Sequence, residues 1–548
     1  MVSQLLDLFG FLVVLFRGLT LALGSLTVGG VCFSLITLRT NANNYADEGI
    51  PALSAVKRWT VGAAIGLGVV QLFWLAANSA VLTETAGIPS SDVYGAAFFV
   101  SGTLMVASAC AIALGVSLTA RPKLWLLAPA ATIIAVEVMT SHSVARLAGR
   151  EWLIVLTALH QGAAAVWIGG LLFWALAIRS TTDLPLVQRL SRRFSASAQI
   201  GVGVLFLAGL GLTFCYVRSA GGLVGTSYGV MVLAKVALFA LVLLLGGLNY
   251  RIVRRFNAKT GAMLAQLRAL GEAEIGLGFT VILAAASLTS QPPAVDLTND
   301  RVGVQTIVER LSPQSPRLST PPLSSLSPSS RQEWNRRHTE QTATQPYVPG
   351  SEPYTPPTEG DIAWSEYNHN WAGLIVLSAG VLAVLSTSGH APWARHWPLV
   401  FCGLAFFLFI RSDPENWPLG PNGFWESFTS ADVLQHRVFI IMVLGFSGFE
   451  WGIQTGQLRQ QAAALVFPLV CASGGALLLT HSHALANVRE ELLIEIEHLP
   501  LAILAVAAGW SRWLELRLPP KAARGITSRA WPVLLTLVGV LLLLYREA

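Results

Sequence analysis

The sequence predicts an all-α protein, a polytopic transmembrane helical bundle of about fourteen spans. Three observations carry this. Of 548 residues, 53% are hydrophobic and 12% charged, about half the charged share of an ordinary soluble domain. Apolar runs of roughly 20 residues recur from end to end, the length a helix needs to cross a bilayer. Those runs are continuous rather than alternating, which argues against membrane strands.

In chain order the spans fall near 9–38, 59–82, 94–119, 124–141, 152–178, 195–217, 229–249, 272–290, 372–388, 398–411, 433–452, 462–480, 490–511 and 530–546. No small-residue cleavage site follows the first, and it exceeds a signal peptide's apolar core, so it reads as a retained span. Lys and Arg in short loops set the orientation. Arg39, Lys57 and Arg58 fall on the same side as Arg121 and Lys123, as Arg179, Arg189, Arg192 and Arg193, and as Arg251, Arg254, Arg255, Lys259 and Arg268. Arg512, Arg517, Lys521, Arg524 and Arg529 join them. With that side cytoplasmic, both termini lie outside. The net charge of +6 is accounted for by these loops. No basic stripe with interleaved aromatics points to nucleic acid, and the partner implied is membrane lipid.

Residues 291–370 differ in kind, with "SPQSPRLSTPPLSSLSPSSRQEW" and "PYVPGSEPYTPPTEG". Such a Pro/Ser-rich tract cannot bury a core and reads as a disordered linker on the outer side. It divides a membrane domain over 1–290, with roughly eight spans, from one over 371–548 with roughly six. The five cysteines lie in or beside apolar runs without a CxxC pair, and the six methionines are scattered. Neither a disulfide framework nor a Met-rich metal tract is implied.

Against this apolar background, "TSHSVARLAGREWLIVLTALHQG" (140–162) and "THSHALANVREELLIEIEHLP" (480–500) are conspicuous. His142 falls just outside the fourth span, and His160 lies roughly 12 Å into the fifth at 1.5 Å per residue. His481 and His483 fall just outside the twelfth span and His498 lies inside the thirteenth. Glu491, Glu495 and His498 form one helical stripe, and Asp432 shares a face with His436. Glu137 lies near the outer end of the fourth span, and His369 precedes the ninth.

An ionisable residue at membrane depth costs about 2.5–3.5 kcal/mol, so several in one leaflet call for a shared compensation. Imidazoles and carboxylates are ligands for Cu(II), Zn or Fe. The candidate metal ligands are His142, His160, His436, His481, His483, His498, Glu491 and Glu495. Plainer roles compete. His142 or His369 alone reads as interfacial, as do His390 and His396 on the cytoplasmic side, and His338 reads as solvated. Glu490 and Glu491 favour a helix N-terminus. His481 and His483, two apart, diverge on a regular helix, so the segment is irregular or only one of them binds. In "WIGGLLFWA" (167–175), Trp167 follows His160 by seven residues on the same face, and Gly169 and Gly170 let a neighbouring helix approach.

Four blocks resemble the CopD/PcoD copper-resistance family of inner-membrane proteins. They are "LHQGAAAVWIGGLLF" (159–173), "RRFSASAQIGVGVLFLAGLGLTF" (192–214), "TSYGVMVLAKVALFALVLLLGGLNYR" (226–251) and "EAEIGLGFTVILAAASLTSQPPA" (272–294). The resemblance covers roughly residues 1–294, an eight-helix CopD-like half. It implies copper transport or copper handling at the bacterial inner membrane, with copper as the ion bound and both termini periplasmic. It directs attention to His142, His160 and Trp167, and to Lys235 as a gating or structural charge whose plainer role is snorkelling. The second half departs from the family and looks like an appended six-span module, its loop 412–428 capping the outer surface above His436.

Cu(I) prefers sulfur, so with few methionines the site is His-rich or draws on cysteine. The alternative is a b-type haem electron carrier with bis-His ligation, by His436 with His498 or His160 with a partner. The absence of CxxCH excludes haem c. A third role is that of a membrane partner for a periplasmic copper chaperone. No Walker loop and no nucleophile constellation is present, so the chain reads as a non-enzyme.

Overall fold

Long apolar rods follow directly from those runs, because inside a bilayer only a helix satisfies every backbone group locally. The computed structural model describes residues 2–38, 50–120, 123–147, 149–255, 261–326, 358–389, 391–414, 416–420, 423–425, 428, 431–479, 488–519 and 525–547. Among the described residues, thirteen helices are long and apolar enough to cross a membrane, and a shorter apolar helix covers Leu124–Met139. The protein is an all-α polytopic helical bundle, and no strand occurs among the described residues.

The main helices are α1 (Val2–Ile36), α2 (Ile50–Ala86), α3 (Ala97–Leu118), α4 (Leu127–Met139), α5 (Arg150–Arg179), α6 (Leu184–Tyr216), α7 (Ser227–Arg255) and α8 (Gly261–Leu288). They continue as α9 (Glu359–Ser388), α10 (Val400–Arg411), α11 (Ala431–Gln454), α12 (Val466–Leu478), α13 (Val488–Arg517) and α14 (Ile526–Leu543). Two compact units divide the chain. One holds Leu12–Leu223 and Met231–Thr298; the other holds Met1–Phe11, Val224–Val230 and Asn299–Ala548.

In the first unit, α4 ends where Thr140 and Ser141 turn their hydroxyls onto the Val136 and Val138 carbonyls, a local bond that competes with helix continuation. Asp183 caps α6, its carboxylate accepting from the Leu186 N–H at 3.1 Å, with Pro185 in the first turn. The rod α5 carries a π-helical turn at Ala165–Gly169. There α1 crosses it closely enough that a Cβ on Gly29 would stand 2.5 Å from the Gly169 carbonyl carbon. This is the close helix approach expected of Gly169.

In the second unit, α9 begins with a capping box between Thr358 and Asp361 and ends at Gly389, whose φ of 75° a side chain would disfavour. Trp397, Phe401, Phe446, Phe467 and Trp531 form its aromatic core. Part of the Pro/Ser-rich tract is held in place. Val304–Leu311 is helical, and Val302 and Ile307 pack on Leu492 and Leu493. The Trp371 indole donates to the Leu318 carbonyl at 3.0 Å and the Trp364 indole to Pro322 at 3.3 Å. Residues 327–357 lie outside the described residues. Thr358→Ala removes the box and should cost about 1 kcal/mol, read as a lowered midpoint in thermal unfolding; an unchanged midpoint would make the cap dispensable.

Candidate functional site

Within the first unit, α5, α6, α7 and α8 enclose a cavity of about 370 Å³. Trp167, Ser191, Ser195, Gln199, Asn249 and Glu274 supply its polar lining. Glu274 is only 3% exposed, and the Asn249 amide donates to its Oε2 at 2.7 Å. The Trp167 indole is a second hydrogen-bond partner. Gly246 on α7 leaves space for the carboxylate, since a Cβ there would lie 3.2 Å from Glu274 Oε1. The cavity floor is organised by Trp174, which donates to Ser191 at 3.0 Å and stacks on Phe194. Beyond it, Arg179 pairs with Glu272, and Arg268 donates to the Ile178 carbonyl at 2.6 Å.

His160 stands apart from this cavity. Its Nδ1 lies 3.2 Å from the Leu205 carbonyl, its ring packs over Gly209, and Lys235 is its electrostatic neighbour. His160 and Trp167 both face α6 and α7, His160 beside Gly209 and Lys235 and Trp167 beside Gly201 and Phe239, with the π turn that begins at Ala165 between them. His142 lies in a short helical turn outside the spans. Its Nε2 is buried without a hydrogen-bond partner. Burial lowers its proton affinity below the ordinary histidine value, with the Thr289 backbone opposing. Arg17 donates to Thr140 nearby at 3.0 Å.

The second unit brings two imidazoles together. The rings of His369 on α9 and His498 on α13 lie 5.9 Å apart, edge to face. Each Nδ1 is tied to a carbonyl four residues back on its own helix, His369 to Ser365 at 2.9 Å and His498 to Ile494 at 2.8 Å. In each ring it is therefore Nδ1, not Nε2, that is committed to the residue's own helix. Tyr545 stacks on His369 at 3.8 Å, and its hydroxyl donates to Glu547 at 2.8 Å. Glu497 accepts from the Arg546 N–H at 3.2 Å.

Of the other candidates, His436 is exposed and its Nδ1 lies 2.8 Å from Asp413, a residue of the 412–428 loop. His436 is also an electrostatic neighbour of His369. Glu495 is buried on α13. His481 and His483 lie outside the described residues, as do the side chains of Glu491 and Asp432. His390 also lies outside them, and His396 accepts from the Trp451 indole at 2.9 Å. Among the described residues no group of three or more His, Cys, Asp or Glu is gathered as a metal cage.

Sequence reasoning did not select Asn249, Glu274 or His369 as site residues. The first two had a usable signal, an amide on one apolar span and a carboxylate, close to Glu272, on the next. His369 had none beyond its proximity to a helix start.

Residues 188–288, which comprise nearly all of α6 together with α7 and α8, match the family model described as Copper resistance protein D. This segment, under a fifth of the chain, is similar to the CopD family. It carries Ser191, Ser195, Gln199, Asn249 and Glu274, so most of the cavity's polar lining lies inside the family region. The chain is also similar to the Copper transport protein CutJ of Bacillus subtilis (strain 168), 34% identical over 142 residues. That stretch is 25% of this chain and 25% of the relative, so the match spans a quarter of the curated relative's length. No solved structure matches the chain.

Proposed function

We propose that this CopD-family membrane protein transports or handles copper at the bacterial cytoplasmic membrane and is not an enzyme. The observation that carries the reading is the His369–His498 pair: two imidazoles from separate helices, each with Nδ1 held by its own helix. Two pre-oriented Nε2 atoms suit a copper ion better than a hard cation, which would seek oxygen. With the Arg-rich loops cytoplasmic, the pair lies toward the periplasmic end, and both termini are periplasmic. His436, Glu495, Glu491, His481 and His483 are further ligand sources at that end. His142 and His160 are ligand sources in the CopD-like unit. A periplasmic copper chaperone would deliver the ion.

The bis-His haem alternative would draw on the same pair. The purified protein should bind copper, and His369→Ala or His498→Ala should each weaken binding by about tenfold or more. His436→Ala, at an exposed ring, should have a smaller effect. Unchanged copper content in all three variants would remove this site, and a strong Soret band at one haem per chain would replace copper by haem. Copper uptake by proteoliposomes separates transport from docking alone.

A further inference from the structure

We propose that Glu274 is a proton-binding site served by water from the Arg-rich end of the first unit, and that its proton is exchanged against the ion the chain moves. The second clause rests on the copper reading; the first does not.

A carboxylate at membrane depth needs a counter-charge, a proton or a set of donors. Glu274 is met by two neutral donors, the Asn249 amide and the Trp167 indole. The charged groups Glu272 and Arg268 of α8 and Arg179 of α5 are engaged elsewhere. On its own helix, Glu272 pairs with Arg179 of α5, and Arg268 donates to Ile178. On α7, Lys235 lies fourteen positions before Asn249, roughly 21 Å along the axis, beside His160 instead. The portion of α6 that lines the cavity offers Ser191, Ser195 and Gln199, all neutral, and α7 adds only the phenol of Tyr250 as a titratable neighbour. The site is therefore built around a carboxyl group that no cation neutralises.

Asn249 suits both states of that carboxyl group. Its amide donates to the ionised acid at 2.7 Å, and its Oδ1 is buried without a hydrogen bond. Rotated by half a turn, the same amide accepts from the protonated acid. Protonation then costs one side-chain rotation rather than a repacking of α7 against α8.

The cavity supplies the route. About 370 Å³ has room for several waters, and Ser191, Ser195 and Gln199 give them partners. These residues lie in the first half of α6, close to Arg192 and Arg193, and Asn249 and Tyr250 precede Arg251, Arg254 and Arg255 on α7. The positive-inside rule makes that end cytoplasmic. In the step itself a hydronium ion gives its proton to a Glu274 oxygen; one O–H bond breaks, another forms, water is released, and nothing is oxidised or reduced.

The test uses the full chain in lipid. Infrared difference spectra on acidification should show a protonated-carboxyl C=O band that is absent in Glu274→Gln, displaced in Asn249→Leu and retained in Glu137→Gln. A hydrophobic carbodiimide, which attacks protonated buried acids, should modify Glu274 faster as pH falls. Spectra identical in wild type and Glu274→Gln, or no carbodiimide adduct on Glu274, would overturn the site. Should Glu274→Gln fail to fold, the Asn249→Leu displacement and wild-type labelling still decide. For the exchange, copper uptake should move protons the other way, and Glu274→Gln should abolish that movement while copper binding at His369 and His498 persists. Copper uptake without proton movement would overturn the exchange. A Glu274 band in a protein that neither binds nor moves copper would leave the proton site standing and remove the copper reading.

Discussion

Arg512→Met should leave the protein largely unfolded or aggregated in detergent. Arg512 is 7% exposed and Glu450 1%. The guanidinium bridges Glu450 at 2.9 Å and Glu515 at 2.7 Å and lies 5.1 Å from the centre of the Trp531 ring. The Trp531 indole also donates to Glu515 at 2.6 Å, which ties α11, α13 and α14 into one polar knot among apolar rods. Taking out the cation leaves two carboxylates without it, Glu450 fully buried and Glu515 half-buried. Breaking a buried pair in this way costs about 3–5 kcal/mol, set against a total stability of about 5–15 kcal/mol. Arg512→Met with Glu450→Gln should recover part of the loss, because the second change removes one of the stranded charges. A monodisperse Arg512→Met profile with an unchanged thermal midpoint would show that the knot is dispensable, and a double variant no better than the single would show that charge is not the cause.

Gly169→Leu should be the most damaging single change in the CopD-like unit. A Cβ at Gly169 falls on the Ser25 carbonyl oxygen, a backbone atom that cannot turn aside, and Gly29 of α1 faces it. Helix pairs in lipid associate through such close approach, since lipid tails are as apolar as leucine and exclude nothing. Overpacking costs about 1–3 kcal/mol, occasionally more, and here it prises α1 from the π turn of α5. Gly203→Ala on α6, where a Cβ meets nothing within 4 Å, is the matched control and should change the thermal midpoint little. Equal midpoints for Gly169→Leu and Gly203→Ala would show that the crossing can relax.

The rods were legible because their cause is local. A continuous apolar run of the right length, ended by Gly, Pro or a charged loop, has one way of crossing a bilayer. Even the short fourth rod follows from its own residues, since Thr140 and Ser141 bond back onto α4. The sites were less legible because their causes are tertiary. His369 and His498 are far apart in sequence and meet only through the packing of α9 and α13 in their unit. His160 and Trp167 both meet α6 and α7, as their spacing implies, but nothing in "LHQGAAAVWIGG" announces the π turn between them. Glu274 and Asn249 were visible as polar residues, but their pairing across the hairpin of α7 and α8 depends on a register that apolar periodicity leaves open. The Pro/Ser-rich tract was judged on composition, whereas the indoles of Trp364 and Trp371 capture two of its carbonyls, a bond that composition does not encode.

The widened turn at Ala165–Gly169 behaves as a phase joint. A π turn takes one residue more than an α-helical turn, so the stretch before it and the stretch after it are clocked separately around the same axis. The stretch up to Ala164 can keep His160 against α6 whatever the later stretch requires. Gly170–Arg179 can be indexed to hold Trp174 over Phe194 and Arg179 on Glu272. Because the widened turn absorbs one residue, excising one there would restore a regular α-helical turn and leave the later stretch near its present phase, whereas excising one elsewhere in the rod would swing that stretch by about 100°. Only the second deletion would cost the unit the alignment of its Arg-rich mouth, and neither would cost it a helix.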